Sequence, residues 1–224
     1  HCADAKRVVL DAERPAAYES AYIGYGRDGF YFDQPGSYKI MALYNAFDGS
    51  EVVSNTLKLR VRSPFDAVSD EIADLFLGDD QGKLLTLLGS DAETLKSGND
   101  AFDLILDKHA SHPLAVYAQM VKGVNASREF KTITPEKKLV VRKAEHAKSV
   151  ELLSSVVEAS QNDGGVDNIT LNMTMRRIAQ TQKSMGDKKS AQATMKRMVA
   201  LFRNKALKPH VIKQIETQAK EALQ

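Results

Sequence analysis

Five histidines, one cysteine and a scatter of carboxylates are the groups in this 224-residue chain from which a reactive or metal site could be built. His109 and His112 stand three apart with Asp107 close by, donor types that suit a mixed nitrogen and oxygen metal site. The same positions have a plainer explanation, since His109 falls on the apolar stripe of a helix and His112 precedes Pro113 at a helix entry. His1 could chelate copper through its imidazole and a free amine if a second histidine lay alongside, but none falls within residues 2–63. Cys2 has no positioned base, and no serine sits in a Gly-x-Ser-x-Gly turn, so nucleophilic catalysis has no candidate.

Two glycine-bearing stretches also fall short of a ligand site. Gly24-Tyr25-Gly26 is followed by a strand pattern rather than by the helix a phosphate loop needs. Residues 78–82, GDDQG, have the acidity of a calcium loop without its ligand spacing or terminal glutamate, and read as a solvated turn between helices. Arg176, Arg177, Lys196 and Arg197 could converge on one face of the last helical hairpin, beside Met173, Met175, Met185, Met195 and Met198. A basic, Met-lined groove would suit an acidic peptide or a nucleic-acid backbone, whereas solvated charge and core filling explain the same residues more simply. No catalytic, cofactor-binding or metal-ligating residue is assigned, no cofactor is expected, and the binding residues are left open.

Composition narrows the class. A hydrophobic fraction of 43% and a charged fraction of 27% are those of an ordinary soluble globular protein. No apolar run approaches the roughly 20 residues that span a bilayer. The opening HCADAKRVVLDAERP lacks the pattern of a secretory signal, and a start at His1 rather than Met points to processing or excision from a longer chain. With Cys2 as the one cysteine, no intrachain disulfide can form. The net charge of +2 is unevenly spread: residues 65–110 carry 3 basic and 11 acidic side chains, residues 111–224 carry 20 and 10. The two regions either face each other or are separately solvated, with a basic surface for an anionic partner as the sharper alternative. An aromatic content of 7% offers few stacking platforms, so nucleic acid is not the expected partner.

The elements that would position any site change rhythm once. Residues 28–61 read as strand, turn, strand, turn, strand: Tyr38, Ile40, Ala42 and Tyr44 share a face, and Leu57, Leu59 and Val61 alternate with Lys58, Arg60 and Arg62. Pro35-Gly36 and Asp48-Gly49 supply turns. Short strands are also expected over residues 6–10 and 18–25, with Arg14-Pro15 between them. After Arg62-Ser63-Pro64 the period becomes helical. Val68, Ile72, Leu75 and Phe76 form one stripe closed by Gly78; residues 83–88 form a short helix ended by Gly89; and Asn99 caps a helix carrying Phe102, Ile105, Leu106 and His109. Pro113 opens the next helix as its first residue, Thr134-Pro135 starts the longest one, and Asn162-Asp163-Gly164-Gly165 ends it near Gln161. Three helices close the chain over residues 167–185, 187–204 and 208–223, with Gly186-Asp187 as a compact stop and start.

Two family resemblances follow from these residues. FDQPGSYKIMALY followed by SNTLKLRV resembles the last two strands of an immunoglobulin-like or fibronectin-III-like sandwich, with Tyr38 at the corner-tyrosine position and Ile40 where antibody domains carry the second core cysteine. The chain has no Trp and no cysteine pair, and about five strands are fewer than a complete sandwich needs, so front strands would be missing and a sheet edge left open. Ile178, Ala179, Gly186, Ala191 and Met195, and a second set at Ala101, Ile105, Pro113 and Gly123, resemble the small and apolar positions of tetratricopeptide hairpins. Gln182 and Arg203 depart from that repeat's aromatic and proline.

The expected architecture is α+β and multidomain: a small antiparallel Ig-like β-sandwich over residues 1–63, incomplete as it stands, and an all-α helical-hairpin array over residues 64–224. The expected function is a non-catalytic protein-interaction scaffold, with a β docking or spacer module and a helical binding array. Its expected partner is another protein, with copies able to pair through an open sheet edge. The alternative is an accessory C-terminal region of a larger secreted enzyme, such as a hydrolase, with the catalytic domain upstream. The immunoglobulin resemblance implies a secreted or periplasmic setting.

Overall fold

A computed structural model describes residues 9–12, 15–17, 22–46, 48–133, 137–161 and 165–223. Among these the chain is mixed α+β, with eight α-helices and four two-stranded antiparallel ribbons, none of them closed into a barrel or sandwich. His1, Cys2, Arg14, Thr134-Pro135, Asn162 to Gly164, and parts of the expected strands over residues 6–10 and 18–25 lie outside the described residues.

The first ribbon joins β1 (Tyr25–Gly26) to β2 (Gly29–Phe30). A longer ribbon follows, in which β3 (Gly36–Ile40) pairs with β6 (Leu57–Val61) and β4 (Leu43–Asn45) with β5 (Glu51–Val53). Residues 54–56 stand opposite residues 41–42, one extra residue on the returning strand, which makes a bulge. Ser54 fills it by donating its backbone N–H to the Ala42 carbonyl and accepting the Ala42 N–H on its hydroxyl, each at 2.9 Å. The tip is the Asp48-Gly49 turn read from sequence, with Gly49 at a φ of 83° and the Asp48 carboxylate accepting the Ser50 N–H. On one face of the ribbon Tyr38 stands opposite Leu59 and Ile40 opposite Leu57; on the other, Ser37 faces Arg60 and Lys39 faces Lys58.

The helices are α1 (Ala67–Phe76), α2 (Asp79–Leu87), α3 (Lys96–Lys108), α4 (Ala115–Ala126), α5 (His146–Ala159), α6 (Asn168–Ser184), α7 (Lys188–Arg203) and α8 (Pro209–Glu221). Between α4 and α5 lies a hairpin of β7 (Phe130–Ile133) and β8 (Leu139–Arg142). Asp66, Asp167 and Asp187 cap α1, α6 and α7 by accepting backbone N–H bonds in the first turn. Two apolar clusters hold the array. One, around Leu84, Phe102, Ile105 and Val121, joins α2, α3 and α4; the other, around Leu153, Leu171, Met175, Met198 and Phe202, joins α4 to α8. Helix α4 belongs to both and is accordingly buried on most of its circumference. At Gly123 an added Cβ would lie 2.7 Å from the Leu153 side chain, so the missing side chain is what lets α4 and α5 meet closely.

The structure departs from four local expectations. The helix expected from Thr134-Pro135 onward begins only at His146, because Thr132-Ile133 and Val140-Val141 are β-branched pairs that favour the pleated β7–β8 hairpin over a helical turn. Asn99 lies within α3 rather than before it, with its side-chain amide donating to the carbonyls of Ser90 and Leu95. Residues 79–82 are the first turn of α2, where two aspartates favour the positive end of the helix, and not a solvated connection. Pro113 lies two residues ahead of α4, in the turn that leads into it.

Candidate functional site

Among the described residues, the sequence-derived candidates do not come together as a reactive or metal-binding cluster. His109 Nε2 lies 3.4 Å from a Glu71 carboxylate oxygen without hydrogen-bond geometry, while His112 Nδ1 accepts the Leu114 N–H at 3.2 Å. Among the described residues no three His, Cys, Asp or Glu side chains gather closely enough to hold a metal ion. The basic residues that could have converged on one face are divided between clefts: Arg176 lines one with α8, Arg177 one with α2 and α4, and Lys196 one between α7 and α8. Of the five methionines of α6, α7 and the turn between them, Met175, Met195 and Met198 are core, whereas Met173 and Met185 are exposed.

What the structure does assemble is a cleft of about 440 Å³ between α2, α4 and α6. Leu85, Tyr117, Met120, Val124 and Met173 give it an apolar floor and walls, and Arg177 and Asp167 stand as its charges. Each is placed by helical spacing: Tyr117, Met120 and Val124 follow at three and four residues along α4, and Thr170, Met173, Thr174 and Arg177 do the same along α6. Cavities of this size and lining are the usual form of a binding site for a side chain or small apolar group.

One wall carries backbone strain. Leu88, which lines the cleft, follows α2 in the left-handed region at a φ of 52°, a conformation costly for a branched side chain. The Arg128 guanidinium holds that corner by donating to the carbonyls of Leu87 and Leu88 at 3.2 and 3.1 Å and to that of Gly89, a cation on the negative end of α2. Burial first, and then the nearby Arg177 charge, pull the Arg128 pKa below its usual value. Arg128 thus adds a second cation near Arg177, while Asp167 is the carboxylate of the same cleft. A third cation, Arg142 of β8, pairs with Asp91, whose other oxygen accepts the Asn125 side-chain amide, and donates to the Asn125 carbonyl at 3.0 Å. This latch fastens the β7–β8 hairpin across the end of the cleft helices. Lys122 of α4 likewise pairs with Asp103 of α3 at 2.8 Å, so part of the acidic first third does face the basic remainder.

The cleft has a visitor from the chain itself. Tyr22, ahead of β1, lines it. Three residues later the Tyr25 ring lies against Gly82, where a Cβ would come within 2.1 Å of it, and the Tyr25 hydroxyl donates to Asp79. That bond raises the Tyr25 pKa, while the Lys83 ammonium and then Tyr25 lower that of Asp79. Glycine at position 82 was legible in the sequence only as part of a turn. Its role as the seat of an aromatic ring 57 residues away in sequence needed the fold.

The ribbon offers a second surface. Leu57 and Val53 are 59% and 61% exposed, Tyr44, Val52 and Leu43 are similarly open, and no described residue before Ile72 is buried. Comparison with known proteins finds no matching family, no similar curated sequence and no matching solved structure. No helix of the described residues is long and apolar enough to cross a membrane.

Proposed function

We propose that this protein is a non-catalytic interaction scaffold, in which a helical-hairpin array of tetratricopeptide type offers the α2–α4–α6 cleft to another protein. The observation that carries the reading is the cleft itself: an apolar hollow bordered by one cation, Arg177, and one carboxylate, Asp167, and built from side chains on three helices. A groove of this form takes an extended or helical segment by inserting apolar anchors and pairing charged neighbours with its rim. Antiparallel packing of α6 on α7, with Ile178, Ala179, Ala191 and Met195 buried between them, supports the hairpin-repeat part of the reading.

The long ribbon is, on this reading, the closing hairpin of an Ig-like module that serves as a docking unit. Supporting it, the Tyr38 hydroxyl donates to the Gln34 carbonyl at 2.7 Å, the back-bond of a tyrosine corner, and Tyr38 and Ile40 stand on the face that a sandwich would cover. The alternative, an accessory region of a larger secreted enzyme, draws on the same uncovered apolar face, which would then lie against the neighbouring domain.

Selection of a displayed peptide library on the whole chain tests the scaffold reading. Enriched peptides should bind the wild type at least tenfold more tightly than a Met173→Glu variant, because the charge would sit on the apolar wall. Failure to enrich any sequence, or equal binding to both proteins, would reject the cleft as the site. If binding instead falls with Leu57→Lys in the ribbon and not with Met173→Glu, the array is not the interaction surface.

A further inference from the structure

The two ends of the helical array carry opposite charge. At one end, α7 and α8 leave an open groove of about 590 Å³ with Met195, Val199, Ala219 and Leu223 along its floor. Four charges border it: Lys196, Lys220, Arg203 and Glu216, the last engaged by Arg203. Lys196 and Lys220 are exposed, and neither pairs with a described carboxylate. The two helices as a whole have the same sign, with five Lys or Arg on α7 and two on α8 against Glu216 and Glu221.

At the other end, α1 buries Ile72 and sets the Phe76 ring against Phe102 of α3, which leaves its far side to solvent. Residues 65–77, FDAVSDEIADLFL, hold four carboxylates and no Lys or Arg. Asp66 caps the helix and Glu71 lies 3.4 Å from His109 of α3, while Asp70 and Asp74 are exposed and pair with no described cation. Arg62, three residues ahead of Phe65, is the nearest Lys or Arg in sequence. Beside these acids stand apolar groups without a cover: Phe65 is 90% exposed, and Val68 and Leu77 are about half exposed.

We propose that the two ends bind each other between copies of this chain: α1 of one molecule seats in the α7–α8 groove of the next, with Phe65 and Val68 as its apolar anchors and Asp70 and Asp74 facing Lys196 and Lys220. Charge picks the occupant, since an acidic helix with apolar anchors is what a lysine-rimmed apolar groove takes, and this chain displays one. Length agrees. At 1.5 Å per residue α1 is about 15 Å long, and the groove runs about 17 Å from Gln192 to Arg203. An array of hairpins needs a polar outer face on its last unit to stay single, and the apolar floor between α7 and α8 is where a further helix would stack. The contact joins unlike surfaces, so each pair keeps one free groove and one free α1 and can grow head to tail. A short helix in a groove buries less than about 1,200 Å², so the association is weak and reversible. It uses neither the α2–α4–α6 cleft nor the ribbon, and it stands or falls independently of the scaffold reading.

Sedimentation equilibrium of the whole chain tests it. The average mass of the wild type should rise with protein concentration, and the rise should shrink at least tenfold in association constant between about 0.05 M and about 0.5 M salt. Phe65→Ser with Asp70→Asn blocks the α1 end, and Lys196→Glu with Lys220→Glu blocks the groove. Each double variant alone should associate at least tenfold more weakly than the wild type. Mixed together, they should recover a complex that stops at two copies, because one keeps an intact groove and the other an intact α1. All four positions are exposed, and unchanged thermal unfolding confirms that each variant folds. A wild type that stays monomeric at low salt would overturn the proposal. So would a mixture of the two variants that remains monomeric while the wild type associates, since the two surfaces would then not be partners. Association that survives both double variants and is lost in Leu57→Lys would overturn it in favour of pairing through the ribbon.

Discussion

The long ribbon and the helical array are built from sequence of similar apolar content, yet they keep it in opposite places. In the array, Phe102, Leu153, Met198 and Phe202 are fully enclosed, and the helices that carry them leave mostly charge outside. In the ribbon, Leu57, Leu59, Val52, Val53 and Tyr44 stand open to solvent on a two-stranded frame. A two-stranded hairpin has no second layer, and so nothing to bury its apolar face against. The array is stabilised by its own core, while the ribbon is held by ladder hydrogen bonds, cross-strand pairs, the Ser54 bulge and the Tyr38 corner. On the proposed scaffold reading, the exposed apolar face of such a frame would serve an interaction, where the enclosed one serves the fold.

The sharpest way to break this comparison is truncation in each region. Phe202→Ala removes a ring packed at the junction of α6, α7 and α8 and should cost about 3–5 kcal/mol in urea unfolding, whereas Leu57→Ala in the ribbon should change stability by less than about 0.5 kcal/mol. Similar losses at both positions would show that the ribbon shares the array's core. Next in size, Arg142→Ala leaves Asp91 half enclosed without its cation and frees the β7–β8 hairpin; the loss expected is about 1–3 kcal/mol, with the unfolding midpoint of the whole array moving as one.

Tyr38→Phe deletes the single bond to the Gln34 carbonyl and should cost about 0.5–1 kcal/mol, confined to the ribbon. Hydrogen exchange should quicken at residues 36–40 and 57–61 while the array's amides keep their protection, and uniform quickening would join the two regions into one cooperative unit. The smallest effect is electrostatic. Backbone N–H bonds from Ser69 and Ser190 hold the Asp66 and Asp187 carboxyls below their usual range, so their folded pKa values lie under the unfolded ones. Their contribution is present above the ordinary carboxylate value of about 3.9 and is lost as pH falls through the lower folded values. Asn at both positions keeps a capping side chain without the charge, and should flatten the acid limb of the array's stability between about pH 4 and pH 2. A limb of unchanged slope would assign acid unfolding to other carboxylates.

Much of this architecture could be read one residue at a time. The alternation of Leu57, Leu59 and Val61 with Lys58, Arg60 and Arg62 dictates a one-sided strand, and the Asp48-Gly49 turn dictates where it folds back, because both depend only on neighbours in sequence. The start and stop of α6 and the start of α7 are equally local, written in Asp167, Gly186 and Asp187. The hairpin at β7–β8 was less legible, since an apolar run of that length fits either period and the choice fell to β-branched side chains and to the grip of Asp91 on Arg142.

Of the candidate site, only Met173 and Arg177 were singled out in the sequence, as parts of a possible basic, Met-lined groove on the last hairpin and not of this cleft. Tyr22, Leu85, Tyr117, Met173 and Arg177 are spread over more than 150 residues and each follows an ordinary helical or loop pattern, so nothing in their spacing marks them as neighbours. Local periodicity, through short-range sterics and solvation, determined which elements form and which of their faces are apolar. Only packing of helix on helix, which depends on contacts between residues far apart in the chain, decided which of those faces were closed into a core and which were left to line a cleft.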